Sequence, residues 1–252
     1  RCCIDNTPIS QNDFAQCLID IQPAITYVLK QQDRWGRLSF FELYTALSIY
    51  YFAQQEVDWS VIEVGLGGRL DATNIVQPEL SVITPISLEH QKVLGHTIAD
   101  IADQKAGIIK SRTPLILGPQ PKSAESIFEK TAKHHQAPII RVPLDLKIKE
   151  HNLNGQLFDF DSYSNLSISL AGPYQPTNAA TAVTAVQNLK LNQKLSPMAI
   201  GKGLAETKLM GRFQVVSLEN RPQSLVDQVI LDGAHTPDSI EALFQNITRL
   251  FD

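Results

Sequence analysis

One stretch, Val61 to Asn74, constrains this chain more than any other. It reads Val-Ile-Glu-Val-Gly-Leu-Gly-Gly-Arg-Leu-Asp-Ala-Thr-Asn. The apolar run from Trp59 to Ile62 has the character of a buried strand, and it delivers the carboxylate Glu63 to the strand's end. Glycines follow at 65, 67 and 68. In open α/β sheets ligands bind beyond the carboxyl ends of the strands, where a glycine-rich turn lets the backbone come close. Arg69, Asp71, Thr73 and Asn74 then concentrate hydrogen-bonding groups in the loop. Taken alone, the same pattern also describes a tight turn between a strand and a helix.

The rest of the chain alternates in the way a parallel sheet requires. Ser10 is placed to cap a helix over 11–29, and Ser39 a second to about Gln55. A buried strand is expected at 80–84. The variant capping box Thr97-Ile-Ala-Asp100 opens a helix ending near Lys105, with Gly107 as its C-cap. Leu115 to Leu117 and Ile139 to Val142 read as strands around a helix that starts at Ser123. Between Leu146 and Leu170 the runs become short and alternating, which indicates a small antiparallel group. A helix is expected from Thr177 to Leu189 and another from Ser196 to Ala205. Strands follow at 213–218 and 228–231, and Pro237 begins the last helix. The expected class is α/β, a mostly parallel sheet flanked by helices with a small antiparallel strand group. Residues 1–210 form one domain, and Gly211-Arg212 opens a second over 211–252. No internal repeat appears.

Bulk properties exclude some functions. The net charge of −4 gives no reason to bind nucleic acid or an anionic membrane surface. No apolar run approaches membrane-spanning length, and no signal peptide is visible. Three cysteines, an odd number without framework spacing, suit a reducing compartment. A cytoplasmic monomer is the expectation.

Glu63-Val-Gly-Leu-Gly-Gly-Arg-Leu-Asp-Ala-Thr-Asn74 closely resembles the signature of the folylpolyglutamate and dihydrofolate synthases, ATP-dependent amide-forming enzymes of the Mur ligase superfamily. The resemblance implies ATP, Mg²⁺, L-glutamate and a pterin or folate carboxylate as cofactors and substrates. It implies a central ATPase domain followed by the start of a Rossmann-like C-terminal domain. Residues 69–74 would border the pterin and carboxylate site.

Further segments carry the same resemblance. Ile86-Ser-Leu-Glu-His90 is similar to a family segment ending Gly-Leu-Asp-His, with Ser87 and Glu89 departing from it. Glu63 and His90 are accordingly expected to hold Mg²⁺, which prefers oxygen ligands and keeps several waters. Were they at the ends of adjacent parallel strands, about 4.8 Å apart, they could share one ion. A histidine after a strand can equally be a surface residue. Asp103-Gln-Lys105-Ala-Gly-Ile is similar to a segment whose lysine is carbamylated in the family and helps bind the metal. The plain alternative for Lys105 is a cation at a helix end. Gly172-Pro-Tyr-Gln-Pro-Thr-Asn178 resembles Gly-x-His-Gln-x-x-Asn, which implies that Asn178 contacts adenine; Tyr174 replaces the histidine. The plain reading makes Asn178 a capping aid. Leu209-Met-Gly-Arg212 and Leu231-Asp232-Gly-Ala-His235-Thr-Pro237 resemble the family's Trp-Pro-Gly-Arg and Asp-Gly-Ala-His-Asn-Pro. Asp232 would then reach ribose, and Arg212 and His235 phosphate, with Thr236 replacing asparagine.

No Gly-x-x-x-x-Gly-Lys-[Ser/Thr] loop is present. In the family that loop precedes the stretch similar to Arg1–Ser10. The chain begins at Arg1 and ends just after an amphipathic helix, so it is expected to be the interior of a longer protein and not to turn over ATP by itself. Glutamate-dependent ADP release by residues 1–252 alone would overturn that expectation. The alternatives are another Mur-type ligase with a different acid substrate, and a non-catalytic remnant of the fold.

Overall fold

The computed structural model describes residues 2–191, 195–218 and 228–251. Two compact units divide the chain, Arg1–Val76 and Gln77–Asp252.

In the first unit a minimal antiparallel hairpin, β1 (Cys3–Ile4) and β2 (Thr7–Pro8), precedes α1 (Gln11–Leu29), the short α2 (Gln32–Trp35) and α3 (Phe40–Gln54). The caps are those the sequence predicts. Ser10 Oγ accepts the Asp13 N–H at 3.0 Å. Ser39 and Glu42 form a complete reciprocal capping box, which satisfies two otherwise orphaned donors. Burial of Cys2, Cys17, Leu47 and Tyr51 joins α1 to α3. Burial also pushes the Cys2 and Cys17 thiols above their ordinary value, and all three cysteines are free.

The expected strand at 59–62 is not a strand. Among the described residues no neighbour forms a ladder with it, and Val61 is 98% exposed. An apolar run supplies the side chains of a buried strand but not the hydrogen-bonding partner that makes it one.

The second unit contains the parallel sheet, β3 (Ser81–Ile83), β4 (Leu115–Leu117) and β5 (Ile139–Arg141), in that order. Between β3 and β4 lie α4 (Gln91–Leu94) and α5 (Ile98–Ala106), and between β4 and β5 lies α6 (Lys122–His134). Alternation along β4 divides the core. Leu115 and Leu117 face Ile101, Ala102 and Phe128, whereas Ile116 faces Phe158, Phe160, Ala180 and Val183. Successive side chains on a strand point to opposite faces, so a strand buried on both faces must be apolar at every position. All three β4 residues are.

The antiparallel group is β6 (Lys147–Asn152), β7 (Gly155–Phe160) and β8 (Tyr163–Ile168). Then come α7 (Gln175–Gln187), α8 (Pro197–Ala205), the antiparallel pair β9 (Gln214–Ser217) and β10 (Gln228–Leu231), and α9 (Pro237–Phe251). Helix α7 starts two residues earlier than Thr177, at Gln175, because Pro176 lacks only an N–H that the first turn leaves unbonded anyway. The α/β class, with its parallel sheet, flanking helices and antiparallel groups, is as the sequence indicates. No described helix is long and apolar enough to cross a membrane.

Candidate active site

In the first unit the glycine-rich loop is organised by Asp71. Its carboxylate accepts the Leu66 N–H at 2.8 Å, the Thr73 N–H at 3.0 Å and the Thr73 hydroxyl, and it caps the 3₁₀ turn Ala72–Ile75. Asn74 Nδ2 donates to the Arg69 carbonyl at 3.1 Å. Asp71, Thr73 and Asn74 therefore set the loop's shape, with Thr73 buried, while Glu63 and Arg69 are exposed. Two glycines are required here. Gly67 has φ 71°, a conformation that disfavours a side chain. A Cβ on Gly65 would stand 2.4 Å from the Phe41 ring.

Burial raises the Asp71 carboxyl, but the bonds from Thr73, Leu66 and Gly65 outweigh it and hold the group below its usual 3.8. A carboxylate lowered on folding stabilises the fold fully above its unfolded value and loses that contribution as pH falls through the folded one. Asp71→Ala should therefore destabilise the first unit by about 1 kcal/mol near neutrality, the typical loss of a capping side chain. The gap to the wild type should close as pH drops below 3.8. Urea melts across that range measure it, and a gap independent of pH would refute the role given to the ionised carboxylate.

In the second unit His90 follows β3 in a left-handed conformation, φ 47°, at the head of α4, and its side chain makes no capping bond. Lys105 lies in the last turn of α5, and its Nζ is 2.8 Å from Glu89 Oε1. Lys105 is thus tied to the residue next to His90. The aim of α5 is fixed at its other end, where Thr97 and Asp100 form the capping box. Gly95, at φ 112°, leaves no room for a Cβ, which would stand 2.2 Å from Asp100 Cβ. The structure also brings the His90 ring to 6.4 Å, centroid to centroid, from that of His235.

Gly172, Pro173 and Tyr174 meet Phe213, Asp232 and Ser239 around a small cleft that Asn246 also lines. Asp232 accepts the Phe213 and Ala234 N–H groups, each at 2.7 Å, which fixes both oxygens. Burial pushes the Tyr174 phenol up, Asp232 adds to the effect, and Arg212 opposes it. Arg212 lies against Gly233, where a Cβ would meet its Nη1 at 2.2 Å. His235 Nδ1 is 2.8 Å from the Gly233 carbonyl, and because a carbonyl only accepts, Nδ1 carries a proton there. Thr236, in place of the family's asparagine, serves the start of α9 through Ser239. Asn178 is exposed in the first turn of α7, with its Nδ2 donating to Gln175 Oε1 at 3.2 Å.

Sequence reasoning did not single out Glu89 as the partner of Lys105, nor Asn246, a side chain 1% exposed at the cleft. A polar residue on the apolar face of α9 was the available signal for Asn246. Among the described residues no three of His, Cys, Asp and Glu group closely enough to enclose a metal ion. Glu63 in the first unit and His90 in the second are each exposed, and Mg²⁺ takes few protein ligands and retains water or phosphate oxygens.

No family model matches the chain. Individual proteins do. It is 34% identical over 262 residues to the folylpolyglutamate synthase of Lacticaseibacillus casei, covering 100% of this chain and 59% of that protein. It is 32% identical over 260 residues to the dihydrofolate synthase/folylpolyglutamate synthase of Bacillus subtilis, covering 100% of this chain and 58% of that protein. The crystal structure of the Mycobacterium tuberculosis folylpolyglutamate synthase complexed with ADP and AMPPCP superimposes with a TM-score of 0.88 at 30% identity, covering 99% of this chain and 57% of that one. The chain spans about three-fifths of the length of the curated relatives it matches. Through homology along its whole length, in sequence and in structure, the chain belongs to the folylpolyglutamate/dihydrofolate synthase family.

Proposed function

We propose that the protein containing this chain ligates L-glutamate to dihydropteroate or a (poly)glutamylated folate at the expense of ATP. The observation that carries the reading is the approach of His90 to His235, which joins the residue expected at the metal to one expected at phosphate. In the reaction a carboxylate oxygen of the pterin substrate attacks the γ-phosphorus and ADP leaves. The glutamate amine then attacks the acyl carbon, phosphate leaves, and the amine proton passes to solvent or a nearby base. Such chemistry depends on positioning and charge neutralisation.

Asn178 would face adenine, and Asp232, with its oxygens fixed by two backbone donors, would take the ribose hydroxyls. Arg212 and His235 would meet the phosphates. Glu63 and His90 would hold Mg²⁺, which supplies positive charge to the phosphate oxygens when bound. Lys105, as a carbamate, would add a negative oxygen ligand on the same side. The loop that Asp71 shapes would border the pterin and carboxylate, with Arg69 as its cation. Residues 211–252 would begin the glutamate-ligase domain. The three free thiols, two of them buried, support a reducing, cytoplasmic setting, and we take the protein to act as a monomer.

The test is ADP formation by the full-length protein with glutamate and each pterin substrate in turn. Turnover that requires all three components is expected. ATP hydrolysis indifferent to both pterin and glutamate would overturn the assignment.

A further inference from the structure

We propose that Gln156 and His151 are positioning residues for nucleotide binding, and that the antiparallel sheet β6–β7–β8 serves as a mould for the segment that leads into α7. The proposal rests on the reading of Asn178 as an adenine contact.

Leu170, Ala171 and Gly172 are consecutive and buried. They lie beyond the end of β8, so no ladder receives their carbonyls. Buried carbonyls need donors, and here all three are supplied by side chains of the sheet. Gln156 Nε2 donates to the Leu170 carbonyl at 3.0 Å and to that of Gly172 at 2.7 Å. His151 Nε2 lies 2.6 Å from the Ala171 carbonyl, and because a carbonyl only accepts, Nε2 carries the proton. Gln156 occupies the same face of β7 as Phe158 and Phe160, and it is 5% exposed. Packing alone would place an apolar residue there. A primary amide instead offers two N–H groups to two carbonyls at once.

The consequences reach the candidate nucleotide site through the backbone. The Gly172 carbonyl also accepts the Gln175 N–H, at 3.0 Å, where α7 begins. A Cβ on Gly172 would meet the Tyr174 ring at 3.0 Å, so ring and backbone are in close contact. The Asn178 N–H bonds the Tyr174 carbonyl at 3.1 Å, and its side-chain amide is oriented by Gln175 Oε1. The Gln156 amide thus fixes the carbonyl from which α7 starts, and the first turn of α7 fixes the direction of Asn178. With the amide gone, the Leu170 carbonyl loses the Gln156 donor and the Gly172 carbonyl keeps only the Gln175 N–H, so the segment must shift towards water or stay under-satisfied.

The experiment uses the full-length protein with Gln156→Leu, His151→Leu and His151→Gln. Calorimetry gives the Kd for ADP, steady-state kinetics the KM values for ATP and glutamate, thermal melting the stability without nucleotide, and hydrogen exchange the protection of the Gln175 and Asn178 amides. Gln156→Leu should weaken ADP by about tenfold or more and raise the KM for ATP, with less than about a twofold change in the KM for glutamate. Exchange at Gln175 and Asn178 should accelerate. His151→Gln, which can still donate to Ala171, should keep more ADP affinity than His151→Leu. A lowered melting temperature with unchanged ADP affinity and unchanged exchange would reduce the sheet to a structural role and overturn the proposal. Should Gln156→Leu fail to fold, Gln156→Asn, with its amide withdrawn by one methylene, carries the same expectations. If the wild type itself does not bind ADP, the nucleotide reading fails separately. Unchanged exchange at Gln175 would then still refute the positioning role, and faster exchange would uphold it.

Discussion

Lys105→Ala in the full-length enzyme should lose glutamate-dependent ADP formation on the order of a hundredfold, about 2.7 kcal/mol of barrier, and short carboxylates added to the buffer should restore part of it. The reasoning turns on charge. In the structure the unmodified lysine pairs with Glu89, beside His90. The ammonium there is a counter-ion, whereas a carbamate would be a ligand with the opposite charge. Arginine tells the two roles apart. Its guanidinium can keep an ion pair with Glu89 but stays charged and cannot take up CO₂. If the carbamate operates, Lys105→Arg should be as inactive as the alanine variant and should not respond to added carboxylate. An arginine variant with near wild-type turnover would show that Lys105 acts as a cation that steadies Glu89.

The second large effect is expected at Glu63. Glu63→Gln keeps the size of the side chain and removes its charge. Turnover should fall on the order of a hundredfold at ordinary Mg²⁺, with a higher Mg²⁺ concentration needed for half-maximal rate, because a neutral amide is a poorer ligand for a hard cation. ADP affinity in the absence of metal should barely move. A variant with reduced rate but an unaltered Mg²⁺ dependence would remove Glu63 from the metal and leave it a role in the loop.

The legibility of this fold and site followed the range of the interactions. Local features could be read directly. The Ser39–Glu42 and Thr97–Asp100 boxes involve residues three apart, and both form as their sequences indicate. The apolar triplet of β4 required no partner to be recognised, since every position of a doubly buried strand is hydrophobic. The run at 59–62 exposes the limit. Its composition suits a strand, yet strand status belongs to a pair of segments, and among the described residues no second segment is there. The loop after it was legible as a place of concentrated polar groups, but not in its division of labour. Asp71 and Thr73 turn inward to each other and to the backbone, while Arg69 and Glu63 are exposed, and spacing alone does not separate these fates. The meeting of His90 with His235, and of Lys105 with Glu89, depends on long-range packing that periodicity cannot convey. Gln156 was detectable in principle, as the one polar residue in phase with Phe158 and Phe160.

Helix α5 can be regarded as a pointer whose bearing is set at its base. A helix turns about 100° per residue, so a start displaced by one residue would swing Lys105 through that angle, away from Glu89 and the His90 turn. The base is held by the Thr97–Asp100 box and by Gly95, which is pressed against Asp100. A methyl group at position 95 would therefore reach far beyond its own neighbourhood. It would turn Ile101, Ala102 and Ala106 away from the core they fill at the same time as it misdirects the tip. Substitutions at this glycine should be found among those that lower stability and turnover together.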